Sequence, residues 1–122
     1  MSQIEQEYLM SNDCGDNREV NLASAVGTEV TFNFCSSNTS ADDTETEKYF
    51  NNISRPIRHA VIRPSATILI TKMTDNTGIE TTFTDPITVV TNTAIVEERF
   101  GLIQTITFKV QTNPTNLKLR VV

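Results

Sequence analysis

The chain has 122 residues, the size of one domain with a single modest core. Hydrophobic residues make up 38% and tryptophan is absent, so the core is expected to be thin, as between two sheets or inside a small barrel. The formal net charge of −5 disfavours nucleic acid and anionic lipid as main partners, because like charges repel.

Residues 1–17 are interpreted as an N-terminal arm. Ile4, Tyr8 and Leu9 fit one side of a short helix. The segment then runs into residues 11–17, which are rich in Asn, Asp and Gly and therefore typical of a turn. The remaining residues, 18–122, are interpreted as one β domain.

The first strands are predicted from a hydrophobic period of two. Val20 and Leu22 begin one strand, and Val30, Phe32 and Phe34 alternate with polar residues in the next. Successive side chains of an extended chain point to opposite faces, so this alternation indicates strands with one buried face.

Cys14 and Cys35 are expected to be free thiols, because the chain shows no export signal. Two cysteines and a single histidine cannot supply the four ligands of a structural zinc site. Cys35 falls on the face opposite to Phe34 and is interpreted as an inert thiol at a strand end.

Residues 36–52 form a long, polar, acidic loop, and loops of this length are either functional or mobile. Tyr49 and Phe50 are adjacent aromatics that either pin the loop to the core or contact a partner. We favour a solvated loop or a short helix over a cation site, and no metal is predicted. The weak metal candidates are Asp42, Asp43, Glu45 and Glu47.

The basic cluster of the chain lies within residues 53–65 and contains Arg55, Arg58 and Arg63. Two prolines lie within it. Because proline has no backbone N–H to donate to the hydrogen bonds of a sheet, they predict an edge strand or an extended crossover. Guanidinium groups can clamp a carboxylate or phosphate. We favour pairing with the preceding acidic loop, or with an acidic neighbour in an assembly, over a small-molecule anion site. His59 has no Cys, Ser or acidic residue at a sequence spacing typical of a catalytic pair.

A strand is predicted over residues 66–73, with both faces covered at its centre. After a turn at residues 75–78, Ile79, Thr81 and Phe83 are predicted to face inward from the next strand. An Asp-Pro break follows. Beyond it, residues 87–90 form either a new strand or the same strand after a bulge.

Residues 94–100 are ambiguous between a strand and a helical turn. Two alternating strands then complete the chain. The inward residues are predicted to be Leu102, Ile106, Phe108, Val110, Leu117, Leu119 and Val121, with Ile103, Thr105, Thr107 and Lys109 facing outward.

About eight short strands separated by turn residues predict an all-β fold, an antiparallel β-sandwich of jelly-roll or immunoglobulin-like type. A small barrel is the alternative. The chain has four glycines and lacks the G-x-S-x-G, P-loop, H-E-x-x-H and C-x-x-C motifs. We therefore expect no enzymatic activity and no cofactor.

In overall character the chain resembles the small β-rich accessory virion proteins of tailed bacteriophages, such as capsid decoration proteins and neck or tail components. The shared traits are small size, absence of tryptophan, abundance of Thr and Asn, and a polar arm. The resemblance implies a structural protein in a virion, assembled in the host cytoplasm, that forms a homo-oligomer or docks on a lattice of other subunits.

The predicted interface residues are Tyr8, Leu9, Tyr49, Phe50, Arg55, Arg58 and Arg63. Neither a signal peptide nor an apolar run of the roughly twenty residues that span a bilayer is found in the sequence. The alternative function is an intracellular β-sandwich module that binds a carbohydrate, a metal or a protein ligand.

Overall fold

The computed structural model describes residues 16–35, 53–96 and 101–122. Its regular structure consists of eight strands. These are β1 (Asp16–Leu22), β2 (Glu29–Asn33), β3 (His59–Pro64), β4 (Ile68–Asp75), β5 (Glu80–Val89), β6 (Thr93–Val96), β7 (Ile103–Val110) and β8 (Thr115–Val121). Asp16 and Asn17, which the sequence assigned to the arm, already belong to β1.

The strands form two four-stranded antiparallel sheets, with the orders β1-β8-β3-β6 and β2-β7-β4-β5. The pairing is nested: β1 pairs with β8, β2 with β7, β3 with β6 and β4 with β5. Eight strands that pair in this nested order, first with last, and divide into two packed sheets form a jelly roll. The predicted antiparallel β-sandwich is therefore confirmed, in its jelly-roll form, and the sheets do not close into a barrel.

The core lies between the two sheets and is built by the predicted alternation. Phe32 and Phe108 are fully buried, with ring centroids 5.0 Å apart. The opposite sheet contributes Leu117, Leu119 and Val121 of β8 to the same core, as their period of two predicts. Apolar area removed from water in this way is the main stabilising contribution to such a thin sandwich.

A bulge in β7 reverses the predicted facing of Ile103. Thr105 pairs with Thr74, but the next pair joins Ile103 to Asp75, so Gln104 is an extra residue in the ladder. An extra residue shifts the alternation by one. Ile103 is consequently fully buried and Leu102 only partly buried, which makes the prediction for these two residues wrong.

A second bulge lies at Thr71 in β4. Ile70 pairs with Phe108 and Lys72 pairs with Thr107, which leaves Thr71 without a partner in β7. Thr71 is buried, and its hydroxyl has no hydrogen-bond partner among the described residues. The bulge preserves the inward direction of Met73 after the inward Ile70, although the two are three residues apart.

The Asp-Pro break lies inside a single strand, because β5 continues through Pro86 with an irregularity against β4. This confirms the bulge alternative. The inward facing predicted for Ile79 and Thr81 is wrong: Ile79 is 65% exposed and Thr81 is exposed, while Phe83 is half-buried. Ile79 precedes β5 and its amide bonds the Asp75 carboxylate, so it belongs to the turn rather than to the ladder.

The ambiguous stretch is a strand over its described part, since β6 pairs with β3 and buries Ile95. Residues 97–100 lie outside the described residues. The prediction of an edge strand within residues 53–65 is wrong, because β3 lies between β8 and β6. Pro64 is tolerated there because it is the last residue of the strand.

Candidate functional site

The two ends of the sandwich consist of different chain segments. We call one the loop end, because it contains the connections β1–β2, β3–β4, β5–β6 and β7–β8. At this end the Gly27 amide donates a hydrogen bond to the Val110 carbonyl at 2.8 Å. At the terminal end lie Asp16, Cys35 and Ile53, which border the segments outside the described residues. Four predicted interface residues belong to those segments: Tyr8, Leu9, Tyr49 and Phe50.

The structure separates the three predicted arginines. Arg55 lies at the terminal end, where its Nη2 is 3.1 Å from Oδ2 of Asp16. Arg58 is exposed at the same end, and its backbone amide donates to the Val122 carbonyl at 2.8 Å. Arg63 lies five residues further along, about 16 Å away at the rise of a strand. Its Nε donates to Oδ1 of Asn92 at 2.9 Å.

Arg63 lies beside two other cations on the outer face of its sheet. β3 pairs with β8 so that Arg63 is opposite Lys118 and Val61 is opposite Arg120. Lys118 and Arg120 alternate with buried leucines and therefore point outward. We call Arg63, Lys118 and Arg120 the basic face.

Two shallow depressions lie over this face, with volumes of about 350 and 410 Å³. Both are lined by Glu19, Arg63 and Lys118, so they adjoin each other along β8. We call the two together the β8 groove. It runs from Arg120, near the terminal end, to Asn116, near the loop end. Glu19 flanks it on β1, opposite Lys118.

The basic face stands out because the chain as a whole is acidic. The first 47 residues contain one basic and ten acidic residues, a formal charge of −9. The remaining residues contain nine basic and five acidic residues, a formal charge of +4. The arrangement of a guanidinium and an ammonium across adjacent strands is suited to binding carboxylates or other anions.

Sequence reasoning identified Arg63 but missed Lys118 and Arg120 as its neighbours. Their outward direction is readable from the alternation of β8. Their contact with Arg63 depends on the pairing of β3 with β8, two strands that are 50 residues apart in sequence. No local pattern specifies that pairing.

The carboxylate of Asp75 has a structural role in the turn that follows β4. The Asp75 carboxylate accepts hydrogen bonds from the amide of Thr77 at 2.8 Å, the hydroxyl of Thr77 at 2.7 Å and the amide of Ile79 at 3.0 Å. The hydroxyl of Thr77, followed by the amide of Ile79, lowers the pKa of Asp75. The predicted turn at residues 75–78 is thereby confirmed.

Cys35 has a free, half-buried thiol, and burial raises its pKa above the ordinary value. A raised pKa reduces the thiolate fraction, as expected of an inert cysteine. Cys14 and the weak metal candidates Asp42, Asp43, Glu45 and Glu47 lie outside the described residues. Within the described ranges no three His, Cys, Asp or Glu side chains converge on one point.

In the part of the chain that the structure describes, no helix has the length and apolarity needed to cross a membrane. No family model, no curated protein and no solved structure matches the chain.

Proposed function

We propose that the chain is a non-enzymatic structural subunit that docks on, or self-assembles within, a larger particle. The particle of the proposal is a virion of a tailed bacteriophage, in which the chain serves as a capsid decoration or a tail or neck accessory protein. Its partners are other protein subunits of that particle, including copies of itself.

The observation that supports this proposal most is the jelly-roll strand order. Eight-stranded jelly rolls recur in viral capsid proteins, where the rigid sandwich presents loops and sheet faces to neighbouring subunits. They also occur in lectins and cupins, so the fold favours the proposal by analogy and does not by itself specify a function.

The distribution of charge supports the same proposal. Each copy carries a basic face on the described strands and a formal charge of −9 in its first 47 residues, so it contains charges of both signs that can attract a second copy. Complementary potentials orient partners and suppress wrong contacts. Two different patches that attract each other form a heterologous contact, which closes into rings or continues as an array.

Sedimentation velocity over a wide range of protein concentration tests the proposal. We expect the sedimentation coefficient to rise with concentration, or the monomer to co-sediment with virions purified from the source of the sequence. Added salt is expected to weaken the association, since exposed charges are screened. A monomer that is inert at every concentration and does not bind such virions would contradict the proposal.

A second candidate is a binding module for a carbohydrate, metal or protein ligand, and among these the β8 groove favours a carbohydrate or protein, because its cations repel a metal ion. The lining of its two depressions, of about 350 and 410 Å³, includes charged and amide side chains, which can orient a polar ligand. A ligand that binds only the native state raises the melting temperature. A screen of sugars and metal salts in which no compound raises it would exclude this candidate for the compounds tested.

A further inference from the structure

The β8 groove presents its cations at the spacing of an extended chain. Lys118 and Arg120 are two residues apart on the outward side of β8, so their Cα atoms are about 7 Å apart. Arg63 lies opposite Lys118 on the neighbouring strand. The ion pairs between described residues join Arg18 and Arg55 to Asp16, and Lys72 to Glu29, and leave Arg63 and Lys118 out.

A segment of this same chain carries anions at the matching spacing. Asp43, Glu45 and Glu47 occupy every second position of a stretch that lies outside the described residues. In an extended conformation their side chains point to one side, with Cα atoms about 7 Å apart. The step of about 7 Å between neighbouring carboxylates therefore matches the single step from Lys118 to Arg120 along β8.

We propose that the β8 groove of one copy binds residues 42–47 of a second copy as an extended acidic peptide. Asp43, Glu45 and Glu47 then face the basic face, and Thr44 and Thr46 point away from it. This inference rests on the proposed assembly role and names the contact that carries it. Because the groove and the segment are different patches, each copy both donates and receives a segment, and the contact propagates.

The groove suits a short acidic peptide better than a nucleic acid. Glu19 lies beside Lys118, and the whole chain carries −5, so a long phosphate backbone meets repulsion beyond the three cations. A peptide of six residues extends only about 20 Å, so it leaves much less negative charge beyond the three cations than a long phosphate backbone does.

Charge reversal on the groove tests the contact. The face variant is Arg63→Glu/Lys118→Glu, and the matched control is Lys72→Glu/Lys109→Glu, an equal change of charge on β4 and β7 of the other sheet. Circular dichroism first establishes that both variants fold. We expect the dissociation constant for self-association to rise about tenfold in the face variant, since exposed ion pairs each contribute modestly to affinity and the reversed charges also repel the segment. We expect less than a threefold change in the control.

Cross-linking distinguishes a second copy from the chain's own segment. Unlabelled and ¹⁵N-labelled protein are mixed in equal amounts and treated with a carbodiimide, which joins the Lys118 ammonium to a carboxylate with loss of water. Mass spectrometry is expected to show Lys118 linked to the peptide that contains Asp43, Glu45 and Glu47, with mixed isotopes. Links confined to single-isotope pairs, which place the segment on its own chain, would overturn the inference.

The remaining outcomes separate this inference from the proposed function. If the wild type assembles and the face variant assembles equally well, the groove contact is refuted while the assembly role stands. If the wild type neither self-associates nor binds virions, both are refuted. A fluorescent oligonucleotide that binds the wild type at physiological salt and not the face variant would identify a phosphate site and overturn the peptide contact.

Discussion

Replacing Thr71 with valine is predicted to stabilise the protein. The Thr71 side chain is 7% exposed, and its hydroxyl has no hydrogen-bond partner among the described residues, because the residue occupies a bulge between β4 and β7. A buried hydroxyl without a partner costs about 1–3 kcal/mol of desolvation. Valine has nearly the same shape and the same preference for a strand, so its methyl group fills the same space without that cost.

We expect Thr71→Val to raise the free energy of unfolding by about 1 kcal/mol, the lower end of that range. For a domain of this size, such a change corresponds to an increase of about 4 °C in the melting temperature. Urea unfolding monitored by circular dichroism measures the free energy, and calorimetry measures the temperature. The slope of the urea transition is expected to stay constant, because the surface exposed on unfolding does not change.

Thr107 provides the matched control. It is 5% exposed and lies in the adjacent strand, but its hydroxyl is 2.9 Å from the hydroxyl of Thr31. Thr107→Val removes that hydrogen bond and is expected to cost about 0.5–1.5 kcal/mol. A destabilised Thr71→Val variant, or an equal gain in both variants, would refute the reasoning from the unpaired hydroxyl.

Three further predictions concern the bulge at Gln104, the turn at Asp75 and the thiol of Cys35. Ile103→Ala is expected to lower the free energy of unfolding in urea by about 2–5 kcal/mol, because the bulge at Gln104 turns Ile103 into the core. Leu102→Ala is expected to lower it by less than about 1 kcal/mol. Equal losses in the two variants would contradict the bulge. Asp75→Ala is expected to lower the melting temperature at pH 7. The lowered pKa of folded Asp75 makes its contribution complete above the unfolded pKa of about 3.9 and lost as the pH falls, so the two melting temperatures should converge in acid. In a Cys14→Ser background, alkylation of Cys35 by iodoacetamide is expected to have a pH midpoint above that of a free cysteine, because burial raises its pKa; a lower midpoint would indicate an activated thiol.

Local sequence determined where most strands lie and which way most of their side chains point. The alternation at Phe32, Leu117 and Leu119 has a single explanation in an extended chain, because its side-chain period is two. The turn at Asp75 was also predictable, since an Asp followed by Asn, Thr and Gly bonds its own main chain. The antiparallel sandwich follows from about eight such strands separated by such turns.

Tertiary structure decided the features that depend on which strands meet. Gln104 is an extra residue only relative to its partner strand, so no pattern within residues 103–110 shows that Ile103 turns inward. The prolines of residues 53–65 predicted an edge strand or an extended crossover, yet β3 is an inner strand. β6 pairs with its far side, and only its last residue, Pro64, lacks a backbone N–H for the ladder. The basic face likewise exists because β8, from the end of the chain, pairs with β3 and brings Lys118 opposite Arg63. Pairings between strands so far apart are selected by the burial of both sheets together, which is a property of the whole fold and not of any one segment.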